Sequence, residues 1–359
     1  MRLLFISKRR PQQKDLLERP YGRFFHVPRV LAELGHDVHV VLCSHQKLPD
    51  ATSSASGVQW ASHDVRTLGP IGLWKKLTSH ADQLSPDWVI GCSDIWFGLL
   101  AKHLAKRTGA HLALDAYDNF EAYMPWNIPL HAMWRRAIRS ADLVTAAGPQ
   151  LAELLQSHRR DGLRAQIVPM AADPEFFSKD RRLSRLELGL PLDAPLIGYV
   201  GSWAKSRGTN VLVESFRIIR EQQPQARLVL SGKPPTHVLG EPGVIATGYL
   251  TDEQLPVLIN ALDVACVITA DTSFGRYSYP AKLCEAMACG TAVIATSTEP
   301  VRWMLGDRAD HLAPVGDPQA LAERTLALLH TRNNNYGLLP SWESSGSEWH
   351  RLLNTTANS

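Results

Sequence analysis

The run YSYPAKLCEAMACGTAVIAT, residues 277–296, is apolar and small except for Lys282 and Glu285. Charges in a stretch that reads as buried need partners, because an unpaired buried charge is costly. AKLCEAMAC is expected to be a helix, entered from a loop that ends at Tyr279 and Pro280 and stopped by Gly290. Lys282 and Glu285 then share one helical face. Either they pair with each other, worth about 0.2–0.5 kcal/mol, or they meet a ligand that the small residues of MACG allow to approach. A second cluster lies in YVGSWAKSRGTNVLVESF, where a strand ends at Gly201 and a helix starts near Thr209. Lys205 and Arg207 stand in the connecting loop beside Gly208, and two cations at a helix N-terminus suit a diphosphate. The plain alternative is a solvated basic loop, and the absence of GxGxxG argues against a dinucleotide. Gly22 and Arg23 in PYGRFF mark either another anion site at a helix start or an ordinary loop glycine. Asp115, Asp118 and Glu121 in LDAYDNFEAYMPW, and Asp94 after WVIGC, are carboxylates able to bind a hydroxyl or take its proton. Strand-end and helix-cap roles explain the aspartates equally well.

These groups follow short apolar strands. RLLFIS, DVHVVLC, PDWVIGC, AHLALDA and ADLVTAA alternate with helical segments in the first half, and LIGYVGS, ARLVLSG, GVIATGY, DVACVIT and AVIAT recur in the second. The alternation predicts an α/β protein with two doubly wound parallel sheets, each covered by helices on both faces. In such sheets ligands gather beyond the carboxyl ends of the strands, which is where the candidate residues fall. At 359 residues the chain can bury two cores. The polar, proline-containing IVPMAADPEFFSKDRRLSRLELGLPLDAP separates them, so the expected domains are 1–178 and 179–339. The tail 340–359, with SWESSGSEWHRLL, reads as a helix packing away from the second domain.

Hydrophobic residues at 45% and charged residues at 20% indicate a soluble globular chain, and a net charge of +3 is too small to point to nucleic acid. Cys43, Cys92, Cys266, Cys284 and Cys289 are scattered without zinc-site spacing, as expected for reduced thiols of a cytoplasmic protein. The apolar run in MRLLFISKRR is too short for a signal peptide, and its basic residues follow it. No stretch approaches the roughly 18 apolar residues that span a bilayer. Peripheral membrane contact is one reading of YMPWNIPLHAMWRRAIRS, where Trp126, Met133 and Trp134 stand among Arg135, Arg136 and Arg139. The other is a helix with a core face and solvated arginines. SKRRPQQK adds basic residues able to meet anionic lipid.

Taken in order, YVGSWAKSRGTNVLVESF, ARLVLSGKPP, GYLTDEQLPVLINALDVACV, YPAKLCEAMACGTAVIA and APVGDPQALAERTLALL resemble the retaining glycosyltransferases of family 4. LAELGHDVHVV, SADLVTAAGPQLAELL and VPMAADPEFF are similar to the family's first-half segments, so the likeness covers nearly the whole chain. It implies the GT-B fold of two facing Rossmann-like domains, the first for the acceptor and the second for the donor. It also implies transfer of a hexose-type sugar from a UDP- or GDP-linked donor to a glycan or glycolipid acceptor, with retention of configuration. The donor is a co-substrate, and neither metal nor other cofactor is expected. By this resemblance Glu285 matches the second Glu of a Glu-x7-Glu motif and binds the donor ribose, and Arg207 takes the place of a phosphate-binding Lys. Donor contacts are expected from Gly22, Arg23, Gly201, Ser202, Lys205, Arg207, Tyr277, Ser278, Tyr279, Lys282, Leu283 and Glu285. Acceptor contacts are expected from Asp115, Asp118 and Glu121, and catalytic roles for Asp118, Asp94 and Arg207. Two positions depart from the pattern: Tyr277 replaces the first motif Glu, and Ser202 replaces an Arg that Lys205 is near enough to substitute. A nucleotide-sugar epimerase of the same fold and a non-catalytic glycosyltransferase-like subunit are the alternatives.

Overall fold

The computed structural model describes residues 1–11, 14–160, 162–201, 203, 208–306, 308–331 and 334–357. The chain divides into two compact units, Met1–Met170 with Pro340–Ser359, and Ala171–Leu339.

The first unit runs β1 (Arg2–Lys8), α1 (Arg23–Glu33), β2 (Asp37–Ser44), β3 (Ala51–Ala55), β4 (Val58–Asp64), α2 (Val65–Leu84), β5 (Trp88–Cys92), α3 (Ile95–Thr108), β6 (His111–Ala116), α4 (Ile128–Ser140), β7 (Leu143–Ala146), α5 (Pro149–Gln156) and β8 (Gln166–Ile167). Its sheet has the order β3-β4-β2-β1-β5-β6-β7-β8, parallel except for the β3–β4 hairpin. Every residue of β5 and β7 is buried, as expected of strands covered on both faces. No sequence pattern marks the hairpin, because ATSSA carries no apolar alternation and is almost wholly exposed.

The second unit continues with α6 (Arg181–Glu187), β9 (Leu196–Val200), α7 (Thr209–Gln222), β10 (Arg227–Ser231), α8 (Thr236–Leu239), β11 (Val244–Gly248), α9 (Gln254–Ala261), β12 (Val264–Val267), α10 (Ala281–Ala288), β13 (Ala292–Thr296), α11 (Glu299–Leu305), β14 (Leu312–Ala313) and α12 (Pro318–Leu328). Its parallel sheet has the order β11-β10-β9-β12-β13-β14. Apolar clusters around Phe216 and Leu230 on one side and Leu258 and Val293 on the other bury its faces. The division at Ala171 leaves residues 171–178 with this unit, ahead of the boundary expected at Ser178. Asn260 ties this segment to the second unit, donating to the Phe177 carbonyl at 3.0 Å and accepting from the Lys179 N–H at 2.7 Å.

The last helix, α13 (Trp342–Ala357), returns to the first unit and lies on α1. Trp342, Trp349, Leu352 and Leu353 form its buried face. A Cβ at Gly346 would sit 2.4 Å from Cγ1 of Val30, so only glycine permits this approach. Glu343 pairs with Arg29 at 2.7 Å, and Ser345 donates to the Pro169 carbonyl at 3.0 Å.

His36, after α1, meets His350 of α13 at 2.8 Å between Nε2 and Nδ1. Burial, the amino terminus of Met1 and His350 together lower the His36 pKa from 6.5 to about 4. The folded protein therefore keeps this ring neutral where an unfolded chain would protonate it. Stability is at its full value above about pH 6.5, and the His36 contribution is lost as pH falls toward 4. We expect a loss of roughly 2 kcal/mol over that window, discounted for solvent at the ring edge. Urea midpoints measured at several pH values should show this slope, and it should flatten in His36→Gln.

Candidate functional site

Both sheets reverse strand order at one point, β1/β5 in the first unit and β9/β12 in the second. The turns beyond those strand ends are where ligands enter open parallel sheets.

In the first unit, the β5 turn holds Ser93 in the left-handed region at φ 72°, unusual for a residue other than glycine. Its Oγ accepts the Lys8 N–H at 2.9 Å and lies 3.1 Å from the Ser7 hydroxyl, which ties the end of β1 to the end of β5. Asp94 follows as the cap of α3 and accepts the Ile95 N–H at 2.6 Å. Burial holds its carboxyl above the usual range, against the opposing pull of the Ile95 amide and Lys8. Asp94 is thus a helix cap that still stands at the switch point.

Gly22 caps α1 at φ 63°, ψ −166°, a geometry that strongly favours glycine. Arg23 does not offer its charge to an anion. Its Nε and Nη2 donate to the two carboxylate oxygens of Asp115 at 2.7 Å each, and Nη1 donates to the Val168 carbonyl at 2.7 Å. Thr145 donates to Asp115 Oδ1 at 2.6 Å. Both side chains of the pair are about 95% buried or more. The donor contact expected of Arg23 and the acceptor contact expected of Asp115 give way to an internal clamp between α1 and β6. Glu121 is also engaged, in a more exposed ion pair in which Arg135 of α4 donates to its two oxygens at 2.8 and 2.6 Å.

Asp118 is different. It is 8% exposed, and the Tyr123 hydroxyl donates to its Oδ2 at 2.8 Å. The Tyr117 ring is boxed by Phe24 and Phe120 at 5.2 and 5.7 Å. Burial, then the Asp118 charge, raises both phenols well above their ordinary value, so they remain proton donors. No spacing rule joins Tyr123 to Asp118, so the sequence carries no sign of this partner.

In the second unit, Ser202, Lys205 and Arg207 lie outside the described residues. Around them, Gly201 follows β9, and Gly208 caps α7 at φ 75°. Trp203 stands edge-on to Tyr199 at 5.5 Å. The loop after β12 is pinned by Thr296, whose Oγ1 accepts the Thr269 N–H at 2.7 Å and donates to the Thr269 carbonyl at 2.8 Å. It delivers Tyr277 and Ser278, both partly exposed, to the start of α10. Tyr279 is 4% exposed and packs edge-on to Trp303 at 5.7 Å. Leu283 is fully buried and its N–H donates to the Pro280 carbonyl at 2.9 Å, so it belongs to the core and its expected donor contact is displaced. Lys282 Nζ lies 3.2 Å from Glu285 Oε2; the ammonium side chain is 37% exposed and the carboxylate side chain 13%. The two do pair, yet with the carboxylate sunk further than an ordinary surface pair requires. A separate cavity of about 750 Å³ beyond β13 and β14 includes none of the expected donor residues. Its Arg276 and Arg302 are paired with Asp271 and Glu299.

Among the described residues there is no cluster of His, Cys, Asp and Glu suited to a metal, and no helix is long and apolar enough to cross a membrane.

Two family models match the chain, "Glycosyl transferase 4-like domain" over residues 26–171 and "Glycosyl transferases group 1" over residues 194–331. A putative teichuronic acid biosynthesis glycosyltransferase, TuaC of Bacillus subtilis, is 26% identical over 248 residues, 64% of this chain and 61% of that protein. A D-inositol 3-phosphate glycosyltransferase of Stackebrandtia nassauensis is 29% identical over 174 residues, 43% of this chain and 38% of that protein. The chain therefore matches between about two fifths and three fifths of the length of these relatives. Among solved structures, sucrose-phosphate synthase from Thermosynechococcus elongatus superposes with a TM-score of 0.78 at 18% identity, covering 100% of both chains. Anabaena HepE in complex with UDP gives 0.69 at 14% identity, covering 100% of this chain and 98% of that one. With two switch-point α/β units matching GT-B structures and both halves matching glycosyltransferase models, the chain belongs to the group 1 glycosyltransferases, family 4 of the retaining enzymes, and has the GT-B fold.

Proposed function

We propose that the protein moves a hexose-type sugar from a nucleoside diphosphate donor to a glycan or lipid-linked acceptor, with retention at the anomeric carbon. The observation that carries this is Glu285, a largely buried carboxylate midway along α10, the helix reached from the loop after β12. In this reading Glu285 accepts hydrogen bonds from the ribose hydroxyls and Lys282 leans toward the donor once it binds. Lys205 and Arg207, next to the α7 N-terminus, neutralise the leaving diphosphate, where charge develops as the bond to the sugar breaks. Gly201 and Gly208 flank that loop, Ser202 is assigned to the donor with them, and Tyr277 and Ser278 border the sugar. The acceptor is assigned to the first unit, with Asp118, held by Tyr123, orienting its hydroxyl and Asp94 at the β5 turn. Gly22 keeps the α1 start open.

Uridine donors have the first claim, since HepE, of the same fold, is known in complex with UDP-glucose. A thermal-shift panel of UDP-, GDP- and ADP-sugars tests the reading. At a hundredfold excess over Kd, a true donor stabilises by about 2.7 kcal/mol, a rise of about 5–10 °C. No shift with any of them refutes the enzyme reading. Donor epimerisation without acceptor points instead to epimerase chemistry, the activity named for the similar UDP-GlcNAc 2-epimerase of Methanocaldococcus jannaschii. Binding without turnover on the native acceptor leaves the non-catalytic subunit.

A further inference from the structure

We propose that the cavity beyond β13 and β14 binds an anionic sugar, a small saccharide carrying a phosphate or a carboxylate. The cavity measures about 750 Å³, within the roughly 300–1,000 Å³ typical of small-molecule sites. Guanidinium groups reach it from three separate elements: Arg276 from the loop after β12, Arg302 from α11 and Arg324 from α12. Asp271 and Glu299 stand among them, so three cations against two anions leave the lining with one net positive charge. None of the residues assigned to the donor lines it. The site therefore goes beyond the transferase reading and stands whatever sugar is moved.

The charges are free to be redirected. Arg276 pairs with Asp271 at 2.6 Å and Arg302 pairs with Glu299, and these four side chains are 44–64% exposed. Ion pairs so open to water contribute little to stability, so a ligand anion can replace the internal carboxylate at small cost. Arg302 is already oriented, since its Nη1 donates to the Ser297 carbonyl at 3.1 Å and to the Ser297 hydroxyl at 3.0 Å. Arg324 has no ion-pair partner among the described residues, which leaves one guanidinium fork for a phosphate or a carboxylate. Thr298 also lines the cavity, and although the residue is only 6% exposed its hydroxyl has no hydrogen-bond partner. A buried hydroxyl in that state is uncommon, and a ligand oxygen at the cavity wall supplies what it lacks.

The rest of the lining selects the ligand. Leu312, Pro314 and Val315 are the apolar part of the wall, suited to the C–H face of a sugar ring. Asp271 and Glu299, once released by their arginines, are acceptors for sugar hydroxyls. A bare inorganic anion would use neither feature. Among the described residues that line the cavity there is no aromatic ring on which a nucleotide base could stack.

Titration calorimetry of the full chain with glucose 6-phosphate and with glucuronate tests it, the first probing for phosphate and the second for carboxylate. At least one should bind about tenfold or more tightly than both glucose and inorganic phosphate, and the tighter of the two identifies the anion. Arg302→Ala with Arg324→Ala should weaken that binding by about tenfold or more. Val315→Trp, which fills the cavity and leaves its charges in place, should weaken it comparably. All three positions are exposed, so the melting temperature serves as the folding control. Saturating UDP or GDP should leave the sugar bound, because the donor site is a different one. The proposal is overturned if neither anionic sugar binds, or if glucose or inorganic phosphate binds as tightly. Indifference to both the double variant and Val315→Trp overturns it as well, and so does displacement by UDP or GDP, which would assign the probe to the donor site.

Discussion

Glu285→Ala is expected to weaken binding of UDP or GDP, whichever the protein takes, by about 10- to 150-fold, with little change in the unfolding midpoint of the unliganded protein. The affinity figure follows from losing a charged acceptor, worth about 1.5–3 kcal/mol. The small effect on stability follows from the alternative partner, since an i,i+3 pair with Lys282 contributes only about 0.2–0.5 kcal/mol. Titration calorimetry separates the two roles. If Glu285 exists only to pair with Lys282, nucleotide affinity stays within threefold of the parent, and the assignment fails. Lys282→Met sharpens the comparison: it frees Glu285 from its internal partner without removing the ribose acceptor. Its affinity should fall as well, since Lys282 leans toward the donor, but by less than that of Glu285→Ala.

The largest effect on stability is expected at the Arg23–Asp115 clamp. Removing one member strands the other's charge in the core, which costs about 3–5 kcal/mol. For Asp115→Ala, two guanidinium nitrogens lose their acceptors; for Arg23→Ala, the carboxylate keeps only the Thr145 hydroxyl and the Val168 carbonyl loses its Arg23 donor. Domains of ordinary stability, about 5–15 kcal/mol, lose a large share of it. The double change Arg23→Met with Asp115→Leu removes both charges, keeps much of the volume and should recover most of the loss. Urea midpoints decide the matter. Single variants within about 1 kcal/mol of the parent, or a double variant as unstable as the sum of the singles, would show that the clamp does not hold α1 to β6.

The strands and helices that carry the site were legible because each depends on neighbours a few residues away. RLLFIS, WVIGC, LIGYV and AVIAT are apolar runs bounded by polar or glycine-containing turns, and they form β1, β5, β9 and β13. The weak elements escaped: β14 has two residues, and β3 is polar and lies at the edge of its sheet. Lys282 and Glu285 were legible as neighbours on one face because helical spacing alone brings them together, while their ion pair is seen only in the structure.

What the sequence determined by itself was therefore the alternation of strands and helices, the turns at which polar groups gather, and the shared helical face of residues 282 and 285. Tertiary structure decided how those groups are used. Arg23 and Asp115, 92 residues apart, are engaged with each other because α1 and β6 converge in the first unit, and Glu121 turns to Arg135 because α4 folds beside it. Asp118, by contrast, acquires a phenol partner at the same strand end. A charged side chain near a strand terminus has the same appearance in sequence whether it awaits a ligand or is neutralised inside the protein. The difference is a distance of a few ångströms between distant segments, and only the packing of the sheets and helices sets it.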